Sequence, residues 1–452
     1  MPSRHRSLLA LAVCLASAAA LAACTREPAA PPNVVLVLAD TTRADRLGLY
    51  GYARDTTPNL NRLARDAVVF EQARSQASCT FPSVNSILTS KEPVHFWDQP
   101  LGNWSIQPGT PTLPGILAEH GWTTFAVSAS EVVRATPSKV NKVGGYDAGF
   151  QTFDESCEAR EAACVRERGV ALARAAQQPY FAYLHYMDPH HPYRAPPPFR
   201  HHFAKPLPDA DARLRRGDPG EILASMYKRS EQRDWSRQVA YLSDSYDDEI
   251  RYLDHELARL VDDLRALSDG RDTLIVLASD HGEDFLEHGD LMHCRTLWDT
   301  SIHVPLVMWL PGVAGSRVAT PVQNLDIVPT LLDQLGIDAS RYALQGRSLR
   351  PVIAGQAGSQ PVHAAQSSLR VRVEGDQKLL YDLGTGQGRL FDVVRDPHEQ
   401  HDLGATQAER LQALERTLLE RVATTEGDGD TRRAARMSNQ VQDRLRALGY
   451  LD

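Results

Sequence analysis
One hydroxyl residue and two acids sit where a fold could put them to use. In the segment from Cys79 to Thr89, Thr80 is followed by Phe81 and Pro82 and then by the start of an apolar helix. Pro is tolerated in a helix's first turn. Thr80 is therefore placed at a helix N-terminus, where free backbone amides and the helix dipole favour an anion. A plain capping threonine would occupy the same place. The acids close two apolar runs. Asn33 to Leu38 leads through Ala39 into Asp40, and Thr273 to Ala278 leads through Ser279 into Asp280, His281 and Gly282. Runs of this kind are the signature of strands buried on both faces of a parallel sheet.

The elements between these runs say how the acids are positioned. Helix-like stretches cover Asn59 to Ala67 and Ser245 to Leu267, and shorter strand patterns cover Thr123 to Val127 and Tyr180 to Leu184. Alternating strands and helices predict a doubly wound, mainly parallel α/β sheet, which binds ligands at the carboxyl ends of its strands. Asp40 and Asp280 both belong on that edge. From about residue 346 the texture changes, with short antiparallel strands expected at Leu369 to Val373, Lys378 to Asp382 and Arg389 to Val394. Leu411, Leu414, Leu418, Leu419 and Val422 then recur at helical spacing and form one apolar stripe. The expected division is a catalytic domain over residues 33–345 and a small α+β subdomain, with terminal helices, over 346–452.

Taken together, these segments resemble the sulfatase family of the alkaline phosphatase superfamily. Asp40, Thr42, Arg43, Asp45, Gly48 and Tyr50 to Tyr52 are similar to its opening strand and loop, and Asp188, Pro189, His190, Pro192 and Tyr193 to its substrate-side histidine loop. Ser279 to Glu283 with Glu287, His288 and Gly289 resemble its metal motif, and His293, Leu297, Asp299 and Val304 to Leu306 the segment that follows. Asn324 to Leu331 and the stretch with Asp396, Pro397 and Glu399 match further landmarks in order.

Two departures bear on mechanism. Members that use formylglycine carry CxPxR, whereas the register of Pro82 here puts Thr80 at the nucleophile position and Val84 at the arginine, with Cys79 one residue out. No formylglycine is expected. Thr41 stands where many sulfatases have a second acid beside Asp40. Both departures point toward Thr-nucleophile relatives, among them phosphodiesterases, phosphonate monoester hydrolases and phosphoglycerol or phosphoethanolamine transferases.

The resemblance implies that Asp40, Thr80, Asp280 and His281 surround one divalent metal ion. Mixed oxygen and imidazole ligands suit Mn²⁺ or Zn²⁺ better than Ca²⁺. Thr80 then attacks a sulfate, phosphate or phosphonate ester, phosphoester being favoured, and His190 or His293 protonates the leaving group. Arg43 either binds the substrate anion or pairs with Asp45. His185, His191 and His288 are read as supporting residues. A lipid head-group transferase is the second reading, and a binding protein on an inactive sulfatase fold the third. Against the transferase stands the single apolar segment at the N-terminus; against the inactive fold stands the complete ligand set.

The remaining signals concern the compartment and the partners. A formal charge of −8 and the absence of a Lys/Arg run argue against a nucleic-acid surface, and the resemblance implies a small, glycan or lipid anionic ester as the substrate class. Arg4, His5 and Arg6 precede the apolar stretch Leu8 to Ala23, and Leu21-Ala22-Ala23-Cys24 resembles a bacterial lipoprotein signal. The expectation is a signal peptide over 1–23, lipid on Cys24, a Pro-containing tether over 24–32, and an outer-membrane protein facing the periplasm, as Thr25 after the Cys suggests. Four cysteines remain: Cys79, Cys157, Cys164 and Cys294. A straight helix would hold Cys157 and Cys164 about 10 Å apart, so a bond between them requires a loop. Whether they pair, or Cys79 pairs with Cys294, is open at this stage.

Overall fold
The computed structural model describes residues 30–426, except 98–104, 158–160 and, between 208 and 233, all but 214, 219, 220 and 222. The expected signal peptide, the lipid-bearing Cys24 and the terminal helices beyond 426 lie outside the described residues.

Eight strands form the main sheet: β1 Asn33–Ala39, β2 Val68–Phe70, β3 Thr123–Ser128, β4 Thr152–Asp154, β5 Tyr180–Tyr186, β6 Thr273–Ala278, β7 Leu306–Trp309 and β8 Ser316–Val318. Their spatial order is β8-β2-β7-β6-β1-β5-β3-β4. β1 runs parallel to both β5 and β6, while β7 is antiparallel to β6 and β2, so the sheet is mixed but mostly parallel. β1 is central because both of its faces are apolar. Val35 and Val37 enter one core, and Val34, Leu36 and Leu38 enter the other. Each such side chain contributes about 1.5–3 kcal/mol when fully buried, so the strand that carries Asp40 is firmly seated.

Helices cover both faces, as expected of a doubly wound sheet. On one side lie α1 Pro58–Leu63, α3 Ala162–Ala175 and the long α4 Ser236–Leu267; on the other lie α2 Thr80–Thr89 and α5 Ile327–Gln334. Leu242, Tyr246, Ile250, Leu253, Leu257, Leu260 and Leu264 recur at three- and four-residue spacing along α4 and are all buried, which is why this stretch is a helix. It begins nine residues ahead of its expected start at Ser245. The main core also reaches past the expected boundary at 345, because Leu349 and Val352 pack into it.

The smaller subdomain is a meander of β9 Val362–Gln366, β10 Leu369–Glu374, β11 Gln377–Asp382 and β12 Gln387–Asp392, with α6 Ala408–Glu426 laid on one face. Leu414, Leu418, Leu419 and Val422 bury against Leu379, Tyr381 and Leu390. The other face packs on Leu297, Trp298 and Ile302 of the main domain. A buried ion cluster joins the two bodies: Asp299 pairs with Arg74 at 2.6 Å and with Lys378 at 2.7 Å, and Lys378 pairs with Glu399 at 2.7 Å. The family landmarks Asp299 and Glu399 are thus parts of one clamp.

Candidate active site
β1 and β6 end side by side and deliver Asp40 and Asp280 to the same edge, both fully buried. The chain leaves β1 through Thr41 at φ 55°, a left-handed conformation that strains a β-branched residue. Tyr246 of α4 holds that turn: its hydroxyl donates to the Thr41 carbonyl at 2.7 Å and accepts from the Arg43 amide at 2.9 Å. After β6, Gly282 presses so closely on Thr300 that an added Cβ would lie 2.0 Å from the carbonyl oxygen. Only glycine fits there, and this contact fixes the turn that carries His281.

The His281 Nδ1–H donates to the Gly282 carbonyl at 2.9 Å, which leaves Nε2 as the bare nitrogen. Nε2 faces Asp280 Oδ2 at 3.4 Å, Asp40 Oδ1 at 3.9 Å and Thr80 Oγ1 at 3.2 Å. One oxygen, Asp280 Oδ1, accepts backbone amides from Thr41 and His281, while Asp280 Oδ2 is buried with no hydrogen-bond donor. Burial, and then the neighbouring Asp40, hold the Asp280 carboxyl above the usual carboxylate range. Two crowded buried acids, a bare imidazole nitrogen and an unsatisfied carboxylate oxygen are the donor set of a divalent cation. The residues present therefore fit the metal that the resemblance implies, and Asp40, Asp280 and His281 form a candidate triad.

Thr80 is the first residue of α2, and the N-cap position belongs to Cys79, whose side chain caps nothing. The Thr80 hydroxyl is turned to His281 instead, so the capping alternative does not describe it. Cys79 is bonded to Cys294, which ties the start of α2 to the residue after His293. Cys157 and Cys164 pair as well, with Cys157 outside any helix, as a bond between them requires.

The histidines group on one side of this triad. The His281 and His293 rings lie 4.6 Å apart, His190 and His293 5.0 Å, and His190 and His191 4.3 Å. Nδ1 of His293 meets Glu283 Oε1 at 2.8 Å, and the Tyr193 hydroxyl donates to the other Glu283 oxygen at 3.0 Å. Burial pushes Glu283 up to about 7 and His293 down to about 4.

Arg43 takes the second of its two expected roles, pairing with Asp45. Its guanidinium donates to both Asp45 oxygens, to Glu287 at 2.6 Å and to the Glu283 carbonyl at 2.8 Å, and it is buried. With the fork spent on these acceptors, Arg43 braces the loops; the substrate-anion role has no geometric support. His185, expected to be a supporting residue, is one: Nε2 binds Asp40 Oδ2 at 3.0 Å and the Tyr183 hydroxyl binds Nδ1 at 2.9 Å. Burial pushes this imidazole down to about 4, so it acts as a neutral donor that orients Asp40. Tyr246 and Glu283 went unrecognised as a turn holder and a histidine orienter. Only the apolar stripe of α4 pointed to Tyr246.

A family model described as Sulfatase matches residues 32–337, and one described as N-sulphoglucosamine sulphohydrolase, C-terminal, matches residues 287–427. The chain belongs to the sulfatase family, whose members are metal-dependent hydrolases of sulfate or phosphonate esters. It is 36% identical over 162 residues to choline-sulfatase of Rhizobium meliloti, a match that spans 34% of this chain and 31% of that protein. Among solved structures, the fold superposes with a TM-score of 0.70 on a protein solved in complex with its substrate D-glucosamine-2-N,6-O-disulfate, at 17% identity over 88% of this chain and 100% of that one. It superposes with a TM-score of 0.67 on the phosphonate monoester hydrolase of Agrobacterium radiobacter, at 20% identity over 86% of this chain and 95% of that one.

Proposed function
We propose that this protein hydrolyses phosphate or phosphonate esters through a covalent intermediate on Thr80. One observation carries the reading: a hydroxyl, and not a formylglycine precursor, starts α2 against His281 and the two buried acids, while Cys79 is committed to a disulfide. A divalent ion held by Asp40, Asp280, His281 and Thr80, with Mn²⁺ or Zn²⁺ suited better than Ca²⁺, would lower the hydroxyl's pKa and offset the charge of the ester. Thr80 Oγ1 lies 3.2 Å from His281 Nε2, so one ion would reach both atoms and fix the direction of the oxygen. The Thr80 oxygen bonds to phosphorus, the ester P–O bond opposite it breaks, and water then releases the phosphoryl group. Free amides at the start of α2 face the oxygens on which negative charge grows. His190 and His293 line the side toward which the leaving oxygen departs. His185 keeps Asp40 in place throughout.

Sulfate ester hydrolysis is the second reading, favoured by the likeness to choline-sulfatase. The proposed setting is an exported protein held to the outer membrane by lipid on Cys24, a reading supported by the basic and apolar N-terminal segment, by Leu21 to Cys24 and by Thr25. The test compares wild type, Thr80→Ser and Thr80→Ala on aryl phosphate, phosphodiester, phosphonate and sulfate esters with Mn²⁺, Zn²⁺ and Ca²⁺ in turn. The expected rates are Thr above Ser and far above Ala, by several orders of magnitude, at similar melting temperatures. Near-native turnover by Thr80→Ala would overturn the mechanism, and a preference for the sulfate ester would replace the substrate class.

A further inference from the structure
Helix α4 carries three consecutive buried acids, Asp247, Asp248 and Glu249. Asp247 pairs with Arg46 and Arg54, and Asp248 accepts the amides of His201 and Phe203 at 2.8 and 2.7 Å. Glu249 is differently placed. Its Oε1 accepts the Arg194 amide, and its carboxyl makes a hydrogen-bond contact with a fourth buried acid, Asp188. Asp188 and Arg194 are the two ends of the loop that carries His190, His191 and Tyr193. One glutamate thus clasps both ends of that loop. Inside the clasp, the Tyr193 hydroxyl donates to Glu283, which holds His293.

Two buried carboxylates in contact repel unless a cation lies between them or one keeps its proton. Among the described residues no cation serves: the charged groups that face the pair are Glu161, just before α3, and Asp248, both acids. Arg194 is exposed and meets Glu249 through its amide. Burial keeps the surrounding Tyr186, Tyr193 and Tyr252 un-ionised. The amide of Ala162, the first residue of α3, donates to Asp188 and favours its anion. Asp188 Oδ2 has no amide or hydroxyl donor, and a protonated Glu249 is the group that supplies one. Burial holds both carboxyls above the usual range, and the Asp188 charge adds to the shift of Glu249.

We propose that Asp188 and Glu249 share one proton, carried by Glu249, and that this acid pair is a positioning device that holds the His190 loop against the site. His190 lies beside the leaving oxygen in the function proposed above, and the role of the pair in turnover rests on that reading. When alkali takes the shared proton into solvent, two anions face each other, the loop ends part and turnover falls.

The test compares the pH dependence of kcat/KM for wild type, Glu249→Gln and Glu249→Ala in the full chain, under metal saturation, on the aryl ester that wild type cleaves fastest. A glutamine donates to Asp188 and accepts the Arg194 N–H, yet has no proton to lose. Glu249→Gln should match wild type at neutral pH and keep its activity at the alkaline pH where wild type declines. Glu249→Ala opens the clasp and should lose on the order of 10²-fold at every pH, the cost of a misplacement of about 1 Å. Melting temperatures supply a measure apart from activity. The folded chain binds the shared proton more tightly than the unfolded one, so its contribution to stability is present at acid pH and is lost as pH rises above the usual glutamate range. The melting temperature of Glu249→Gln should therefore fall less with rising pH than that of wild type. An alkaline decline at the same pH in wild type and Glu249→Gln, no decline in either, or a Glu249→Gln as slow as Glu249→Ala at neutral pH overturns the shared proton. Thr80→Ala is assayed alongside. If it is inactive while the two pH profiles coincide, the acid pair fails and the nucleophile stands; if it is active while the Glu249→Gln profile is shifted, the reverse holds.

Discussion
Replacing Cys79 and Cys294 with serine should cost both stability and activity, and the structure sets the size of each effect. The bond closes a loop of 215 residues, whereas Cys157–Cys164 closes one of 7. In the chain-entropy treatment the cross-link restricts the unfolded chain by an amount that grows with the logarithm of loop length, giving about 5 kcal/mol for the long loop and about 2 kcal/mol for the short one. The kinetic effect has a separate origin. Cys79 precedes Thr80 and Cys294 follows His293, so the bond fixes the helix that Thr80 begins against the histidine cluster. A misplacement of about 1 Å at such a site costs on the order of 10²-fold in turnover. Urea denaturation of Cys79→Ser/Cys294→Ser, with Cys157→Ser/Cys164→Ser as the internal control, measures the first effect from the shift in unfolding free energy. Turnover under metal saturation, well below the unfolding transition, measures the second. If the long-loop variant is no less stable than the control and turns over at the native rate, the bond neither braces the fold nor positions Thr80.

Two further outcomes follow from the same reasoning. Lys378→Met leaves Asp299 facing Arg74 alone and Glu399 buried without its cation, so it should destabilise by about 3–5 kcal/mol in a denaturant titration. A change within about 1 kcal/mol, the size of an average substitution, would mean that the clamp does not join the two bodies. Cys24→Ala should abolish metabolic labelling by palmitate and release the protein from the membrane fraction, and unchanged labelling would remove the lipid-anchor proposal.

The sequence made the two strands that carry the acids legible because each is a long apolar run buried on both faces. The meander and the stripe of α6 were equally plain, since both have a clean period. Shorter elements left no such trace. β2 and β7 have three and four residues, too few to show a period, and β7 reverses the direction of the sheet by tertiary pairing alone. β9 reads Val-His-Ala-Ala-Gln, with weak strand propensity, and is held by pairing to β10. At the site, residue types could be nominated from motifs, but their orientation could not. That Arg43 turns to Asp45 and Glu287, and that Glu283 holds His293, depends on packing among segments some 240 residues apart for Arg43 and Glu287 and only 10 apart for Glu283 and His293. His191 is only a supporting residue in the sequence reading, yet the loop places its ring with that of His190 in the same cluster.

The one-residue offset between Cys79 and Thr80 decides which side chain meets the acids. Cys79 is the last extended residue before α2, at φ −149°, and Thr80 is the first helical one. Successive positions along a helix point about 100° apart. The first helical side chain is delivered to His281 Nε2, and the residue before it points away, toward Cys294. A cysteine at position 79 therefore cannot replace Thr80 at the acids without moving the helix, and the disulfide holds the helix where it is. The same bond anchors the loop that carries His293, so the Thr80 hydroxyl and the histidine side of the site are fixed by one covalent link. What reads in the sequence as a misplaced formylglycine cysteine is, in the fold, the staple that holds Thr80, the proposed nucleophile, in register.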